Sequence, residues 1–357
     1  MRFRFLHTAD WQLGKPFGGF DTETSMRLQD ERFQVISRIG DIAAEQGVRD
    51  ILVAGDVFDQ EQPSDRVLRR AMDRMGEKAP CRWWLLPGNH DPAGPDSLWD
   101  RLAAGMLPSN VHPLLTPEPH DLEPGVTLLS APWTSKDPGR DLTEVFDNDG
   151  EGIRIGIAHG SVQAFGSDPD QTSIIPSDRA DRSGLTYLAL GDWHGMKQAG
   201  PRAWYPGTPE ADSFINNTRG QVLLVDTDEP DAPQALSTGT FTWLASSLTC
   251  AVEETSLEPL QALFDLPALD TVLISLTLQG ALTLPVKTDW DRYLAEQASR
   301  LAALRIDHDA LDVITDTSAL NDLLGDGVLS KVAARLSADG SPDAEAALQL
   351  LDAYARR

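Results

Sequence analysis

The stretch Pro87-Gly88-Asn89-His90-Asp91 directly follows the apolar run Cys81–Leu86, and the rest of the chain is organised around it. An apolar run of this length that stops at Pro-Gly is typical of a buried strand leading into a loop. In that loop Asn89 offers a neutral oxygen to a hard metal ion, His90 can donate a proton or stabilise an oxyanion, and Asp91 can orient the imidazole. By itself the stretch indicates such a site and an ordinary polar turn equally well, because Asn and Asp also form local backbone bonds.

Four further apolar segments end in the same way, in side chains that can hold a metal ion. The first, Arg2–Leu6, is followed by Asp10 and Gln12, which face the same way in an extended segment because they are two residues apart. The other three segments lead to these side chains: Asp56, His159, and Asp192 with His194. Each signal is weak alone, but together the five strand ends predict a metal site.

Helical periodicity between the first strands indicates the fold class. Apolar residues recur at helical spacing over Met26–Gln46, and a second helix is predicted over Asp65–Met75, so strands and helices alternate. This alternation favours an α/β layer architecture. In such folds ligands collect at the carboxyl ends of the strands, which is where the motifs fall.

In this order the five motifs resemble those of the calcineurin-like metallophosphoesterase superfamily, where they read Asp-x-His, Gly-Asp, Gly-Asn-His-Asp, a lone His and Gly-His-x-His. The similarity extends over roughly residues 1–225. Three stretches resemble the SbcD/YhaO-like DNA-repair exonuclease branch more than the protein phosphatases: Ala9–Gly14, Ala54–Asp59 and Tyr205–Glu210. The resemblance implies an α/β fold, a four-layer αββα metallophosphoesterase sandwich, followed by a small α+β capping domain and C-terminal helices.

The pattern changes after about Leu248, and the resemblance then implies three parts. They are a catalytic domain at 1–245, a capping domain at 246–306 and a helical partner-docking segment at 307–357. In the capping domain, alternation predicts a strand at Thr271–Leu278 and periodicity predicts a helix at Asp289–Leu304. Short amphipathic helices are predicted in the last part, at Ala319–Leu324, Leu329–Leu336 and Pro342–Tyr354.

The family's metal arrangement, carried over to this sequence, implies two divalent ions. One ion is expected to contact Asp10, Gln12, Asp56 and His194, and the other Asp56, Asn89, His159 and Asp192. Gln12 and Asp192 stand where the family has histidines, so the site gains oxygen ligands and suits Mn²⁺, or alternatively Mg²⁺, better than zinc. Because both replacements keep donor atoms, an intact two-ion site is preferred over the loss of one position.

The resemblance also implies a reaction and the residues that perform it. A metal-activated water would attack the phosphorus of a phosphodiester in line with the leaving oxygen. His90 would stabilise the phosphoryl charge or protonate that oxygen, with Asp91 orienting the ring. Asp59, three residues beyond Asp56, is expected to help shape the nucleotide site.

The composition limits how such an enzyme could hold DNA. A formal net charge of −25 argues against binding through the overall field, because phosphate contacts require local Lys and Arg. DNA as a substrate therefore calls for a local basic patch or for a partner. The resemblance implies an SMC-like, SbcC-like ATPase docked on residues 307–357, although these helices could equally pack on their own domain.

Two distant cysteines and the lack of a long apolar run predict a cytoplasmic protein without a membrane segment. A homodimer, the polarity of cleavage and the choice between exonuclease and endonuclease are left open. Two other functions also stay open: a small-molecule or cyclic-nucleotide phosphodiesterase, which suits the acidic composition, and a degenerate non-catalytic assembly subunit, which Gln12 and Asp192 make conceivable. Retention of four motif residues argues against the degenerate subunit: Asp56, Asn89, His90 and His159.

Overall fold

The structure is a computed structural model of the 357-residue chain. It describes residues 2–136, 138–162, 174–215, 219–253, 255–314, 324 and 327–355. The chain divides into two compact units, Met1–Thr242 and Trp243–Arg357. In the described ranges no helix has the length and apolar character needed to cross a membrane.

The first unit alternates strands and helices over its first half and is rich in strands over its second. Its strands are β1 Arg4–Thr8, β2 Asp50–Val53, β3 Arg82–Leu85, β4 Val111–Pro113, β5 Pro119–Glu123, β6 Val126–Ala131, β7 Ile153–His159, β8 Ser161–Val162, β9 Ile174–Ile175, β10 Tyr187–Gly191, β11 Lys197–Gly200, β12 Ala203–Tyr205, β13 Gln221–Asp226 and β14 Gln234–Ser237. Its helices are α1 Thr22–Gln46, α2 Asp65–Gly76, α3 Leu98–Ala103 and α4 Arg179–Arg182, with a 3₁₀ turn at Leu142–Val145.

Two mixed sheets form the centre of this unit in the part of the chain that the structure describes. The first has the strand order β14-β13-β1-β2-β3-β4 and the second the order β11-β12-β10-β7-β6-β5. Strands β1 to β4 are parallel, as are β6, β7, β10 and β12, whereas β13, β14, β5 and β11 pair antiparallel with their neighbours. Parallel pairing brings the carboxyl ends of β1, β2 and β3 together, and those of β7 and β10.

Three apolar clusters separate the layers of the first unit. Ile51 of β2 packs with Ile36 of α1 on the outer face of the first sheet, whereas the next residue, Leu52, packs with Ile157 between the two sheets. This division follows from the alternation of side chains along a strand. A third cluster, which includes Ala180 of α4, covers the outer face of the second sheet. The predicted four-layer αββα sandwich is confirmed.

Helix α1 begins four residues before the predicted start at Met26. Asp21 is its N-cap and accepts a hydrogen bond from the Thr24 N–H, and Gly47 ends the helix with a left-handed φ of 65°. The prediction took the first apolar residue as the start, but the cap and not the apolar face sets where a helix begins.

The second unit contains one small sheet and several helices. Its strands are β15 Thr242–Cys250, β16 Val272–Thr283 and β17 Ala303–Ile314, in the order β15-β16-β17, and β16 and β17 are parallel. Its helices are α5 Glu258–Phe264, α6 Leu284–Ala298, α7 Val328–Asp339 and α8 Pro342–Ala355, with a 3₁₀ turn at Leu269–Thr271. The predicted helices Leu329–Leu336 and Pro342–Tyr354 lie within α7 and α8, and Ala319–Leu324 lies outside the described residues except for Leu324.

The predicted helix Asp289–Leu304 is wrong at both ends. Helix α6 follows β16 directly and stops at Ala298, and Leu304 lies in β17, where it pairs with Ile274. The helical periodicity misled here because Leu301 and Leu304 contact the same apolar cluster as α6, although they do not belong to the helix. Strand β17 continues to residue 314, so the segment expected to be helical from residue 307 begins with strand residues.

Candidate metal centre

The loops that follow β1 and β2 pair with each other beyond the ends of the strands. The N–H of Asp10 donates to the Gly55 carbonyl at 3.1 Å, and the N–H of Gln12 donates to the Asp56 carbonyl at 2.9 Å. Four predicted metal ligands adopt a positive φ: Asp10 at 55°, Gln12 at 43°, Asp56 at 52° and Asp192 at 110°. This backbone region is costly for residues other than glycine, and clusters of such residues are typical of functional sites.

Asp10, Asp56 and His159 form one compact, buried group. Each offers a ligand atom, and these atoms all lie within 4.8 Å of one another. His159 Nε2 lies 3.5 Å from Asp56 Oδ1 and 2.8 Å from the amide oxygen of Asn89. Its Nδ1 lies 2.8 Å from the Ala54 carbonyl, which fixes the ring and leaves Nε2 directed at the oxygens.

Two glycines beside this group leave no room for a side chain. A Cβ atom at Gly55 would lie 2.1 Å from His159 Nδ1, and one at Gly88 would lie 2.2 Å from Asp56 Oδ1. The backbone of each loop therefore packs directly against a predicted ligand, and the glycines of the Gly-Asp and Gly-Asn-His-Asp motifs have a steric cause.

Asp192 and His194 join the group from the end of β10. The backbone N–H of Asp192 donates to both carboxylate oxygens of Asp10, at 3.1 and 3.2 Å. His194 Nδ1 lies 3.2 Å from Asp212 Oδ1, and its Nε2 lies 3.4 Å from the amide nitrogen of Gln12. The structure thus brings all seven predicted ligands into one region, but Gln12 contacts His194 through nitrogen and not through oxygen.

Excess negative charge dominates the electrostatics of the group. Burial, assisted by the charges of Asp56 and Asp192, raises the pKa of Asp10 to about 7. Burial acts to lower the pKa of His159, but the surrounding carboxylates Asp56, Asp10 and Asp192 raise it to about 9. Buried carboxylate and amide oxygens with one imidazole are a donor set that fits a hard divalent cation, whose charge would balance the site.

The sequence matches the calcineurin-like phosphoesterase family over residues 3–225. The chain belongs to this family. A similar protein is the SbcD subunit of the nuclease SbcCD of Rhodobacter capsulatus, 37% identical over 94 residues that cover 25% of this chain and 22% of that protein. Two other similar proteins come from Bacillus subtilis. The uncharacterized metallophosphoesterase YhaO is 28% identical over 228 residues, which cover 58% of this chain and 53% of that protein. The SbcD subunit of the nuclease SbcCD is 31% identical over 98 residues, which cover 27% of this chain and 23% of that protein. The chain thus spans about half or less of the length of these relatives.

His90 is an exposed imidazole beside this group of residues. Its side chain is 42% exposed, and its Nε2 lies 3.8 Å from Asp56 Oδ2. Its Nδ1 lies 2.9 Å from the backbone carbonyl of Asp59, which places the proton on Nδ1 in the neutral ring. Nε2 is therefore the nitrogen that is directed at the site.

Asp91 was expected to orient His90, but its contacts are different. The Asp91 carboxylate is fully buried and accepts hydrogen bonds from the N–H groups of Gly88, at 2.6 Å, and Phe58, at 3.0 Å. The contact that orients the His90 ring comes instead from Asp59, through the backbone and not the carboxylate. Asp91 therefore connects the loop after β3 to the loop after β2, because its carboxylate accepts one N–H group from each.

The sequence-based reasoning missed three charged residues beside Gln12 and His194. Asp212 is buried and accepts from His194, while Lys15 Nζ lies 2.5 Å and Arg32 Nη2 3.5 Å from its Oδ2. Burial acts to raise the pKa of Asp212, but the hydrogen bond with His194 and the charges of Arg32 and Lys15 hold it well below its usual range. Asp212 comes two residues after the nuclease-like stretch Tyr205–Glu210, yet no sequence pattern brings it to residues near the N-terminus.

A cavity of about 350 Å³ opens beside the exposed imidazole. Its lining residues are Asp59, Gln60, Glu61, Gln62, Asn89, His90 and Lys136. Lys136 is paired with Glu61 at 2.9 Å, so the cation in this lining is balanced by an acid. The cavity gives a ligand access to both Asn89 and His90.

Proposed function

We propose that this phosphoesterase is a metal-dependent phosphodiesterase that cleaves DNA, as a nuclease subunit of SbcD type in repair or end processing. The observation that carries the proposal is the exposed side chain of His90, which lines a cavity and whose Nε2 lies 3.8 Å from Asp56 Oδ2. The nuclease names of two relatives support the substrate class, over stretches that cover about a quarter of this chain. Mn²⁺ is the proposed metal, with Mg²⁺ as the alternative, because the donor set is mainly oxygen.

In the proposed mechanism, one of two divalent ions would be held by Asp10, Gln12, Asp56 and His194, and the other by Asp56, Asn89, His159 and Asp192. When bound, the ions supply polarisation of the phosphoryl group and a water of lowered pKa. As an imidazolium, His90 would give the proton on Nε2 to the leaving oxygen and keep the proton on Nδ1, which is engaged by the Asp59 carbonyl. Asn89 positions the phosphodiester in the cavity.

The C-terminal hairpin of α7 and α8 is the proposed docking site for an SMC-like ATPase. Ala333 and Leu348 are buried in the seam between the two helices. The apolar side chains Val328, Leu350 and Tyr354 are 77%, 74% and 69% exposed. Such exposed apolar residues on helices suit a partner helix, and a partner would supply the DNA-binding surface that a charge of −25 makes difficult. A cytoplasmic location and a homodimer stay predictions from the sequence.

Copurification with a coiled-coil segment of an SbcC-like ATPase tests this docking. The double substitution Leu350→Asp with Tyr354→Asp should abolish copurification while the purified variant keeps phosphodiesterase activity, because the seam residues are unchanged. A matched change at exposed Ile306 and Ile314 of β17 should leave copurification intact. If the ATPase segment copurified equally well with both variants, the hairpin would not be the docking site.

A small-molecule phosphodiesterase is the second candidate, favoured by the acidic lining of the cavity, where Glu61 neutralises Lys136. The deciding experiment is Mn²⁺-dependent hydrolysis of end-labelled linear DNA beside a small aryl phosphodiester, with the wild type and His90→Ala. Cleavage of both substrates that is lost in the variant supports the nuclease. Cleavage of only the small diester, also after addition of the ATPase partner, supports the second candidate. No cleavage of either substrate, with no metal bound, would indicate a degenerate assembly subunit.

A further inference from the structure

The Gln12 amide is turned away from the role of an oxygen ligand. Lys15 Nζ lies 3.0 Å from Gln12 Oε1, and Gln12 Nε2 lies 3.4 Å from His194 Nε2. An ammonium group has only protons to donate, so the atom that faces Lys15 must be the amide oxygen. The amide therefore presents N–H groups, which cannot ligate a cation, to the side it shares with His194.

Lys15 is held in this position from two sides. Its backbone N–H donates to the Gln12 carbonyl at 3.2 Å, a turn that brings the lysine back beside the glutamine. Its ammonium pairs with Asp212, whose side chain is 3% exposed and whose other oxygen bonds to His194. Gln12, Lys15, Asp212 and His194 thus form a closed ring of polar contacts, and Arg32 supports it through Asp212.

The other half of the site has the opposite character. The ligand atoms of Asp10, Asp56 and His159 already converge within 4.8 Å. In the described part of the chain, the ion pairs of Asp10 and Asp56 are with histidines and not with a lysine or arginine. A divalent ion beside His159 meets these carboxylates directly, whereas an ion near Gln12 and His194, although it shares Asp10 and Asp56, also meets an amide N–H and a neighbouring ammonium.

We propose that the two metal positions bind with unequal affinity, and that Lys15 is the positioning residue that weakens the position at Gln12 and His194. That position fills only when the Gln12 oxygen leaves Lys15. The inference rests on the proposed function only in taking two divalent ions as the resident metals, and it does not require DNA as the substrate. Lys15 acts through Gln12 and by its charge, and it is not itself a ligand.

The test is titration of the chelator-treated chain with Mn²⁺, with free Mn²⁺ followed by electron paramagnetic resonance. The wild type should bind one equivalent tightly and a second more weakly. Lys15→Met should strengthen the second step at least about 10-fold and leave the first nearly unchanged, because a unit charge close to a divalent ion is removed. Lys287→Met is the matched control, since Lys287 also pairs with an aspartate, Asp291, and its side chain is 18% exposed against 27% for Lys15.

Gln12→His provides a second variant, because an imidazole offers a nitrogen ligand at this position and tolerates a positive φ better than most side chains. It too should strengthen the second step, and thermal unfolding checks that each variant is folded. The inference would be overturned if the wild type bound both Mn²⁺ equivalents with equal affinity, or if the affinity of the second binding step were unchanged in both folded variants. Unequal steps in a chain that does not cleave DNA would leave the inference standing and remove only the proposed nuclease function.

Discussion

At the scale of single residues, the site separates side chains that hold the metal region together from one that is open to a substrate. Asp10, Asp56 and His159 are buried, whereas the His90 side chain is 42% exposed. Burial strengthens electrostatic interactions among the first three, and exposure lets the fourth reach a ligand. Substitutions at these two kinds of residue should therefore have different effects.

His90→Ala should keep the bound metal and lose about 10²–10⁴-fold in turnover, the usual contribution of a general acid or base. Turnover of an aryl phosphodiester and metal content of the purified variant check this. His308→Ala, at an exposed histidine of β17, is the control and should behave as the wild type. Near-normal turnover of His90→Ala would falsify the proton-transfer role.

Asp56→Asn should lose metal as well as activity. The amide keeps the shape of the side chain and can still accept the 3.0 Å hydrogen bond from the His90 N–H, but it removes the charge nearest His159. Elemental analysis of the purified variant would measure the loss. Retention of a full metal complement would mean that Asp56 is not a ligand.

At the scale of elements, a buried histidine connects the two sheets. His7 of β1 contacts β10, with its Nδ1 3.0 Å from the Tyr187 hydroxyl and its Nε2 3.1 Å from the Leu190 carbonyl. Because Asp192 directly follows β10, this contact fixes the strand end that delivers a predicted ligand.

Acid should destabilise the first unit through His7. Burial lowers the pKa of His7 from its ordinary value of 6.5 to about 3, so between these values the unfolded chain binds a proton that the folded chain does not. Stability should therefore fall as the pH drops below 6.5, by up to about 1.4 kcal/mol per pH unit from this residue. Urea unfolding at pH 6.5 and 5.0 measures the loss, and His7→Gln should show a shallower dependence. An identical slope in the two proteins would exclude His7 as the cause.

At the scale of the whole molecule, metal binding should couple to stability. The proposed ligands come from residues far apart in sequence, Asp10 to His194, so we expect the folded chain to bind the ion and the unfolded chain not to bind it. Saturating Mn²⁺ at 100 times its dissociation constant should add about 2.7 kcal/mol to the free energy of unfolding. Thermal unfolding of the wild type with and without Mn²⁺ tests this, and Asp56→Asn should show little of the increase.

Residue order and spacing were enough to predict the α/β class, the strand ends and the residue types at the site. Strand periodicity and the Pro-Gly stop at residue 87 are local signals, and local signals predict which residues end a strand. Local apolar spacing also explains the two errors in the helix boundaries. The start of α1 was placed too late because it is set by the cap at Asp21 and not by the apolar face. The end of α6 was placed too late because Leu304, which belongs to β17, contacts the same apolar cluster as α6.

The contacts among the site residues, by contrast, depend on how the two sheets pack and could be read only from the folded chain. In the folded chain, the Asp59 carbonyl orients the His90 ring through Nδ1, and the Gln12 amide oxygen faces the Lys15 ammonium. Folding also brings Asp212 to His194. Contacts between loops that are distant in sequence depend on the packing of two sheets, and the direction of an amide depends on which charge lies beside it, so residue types and spacing cannot determine either.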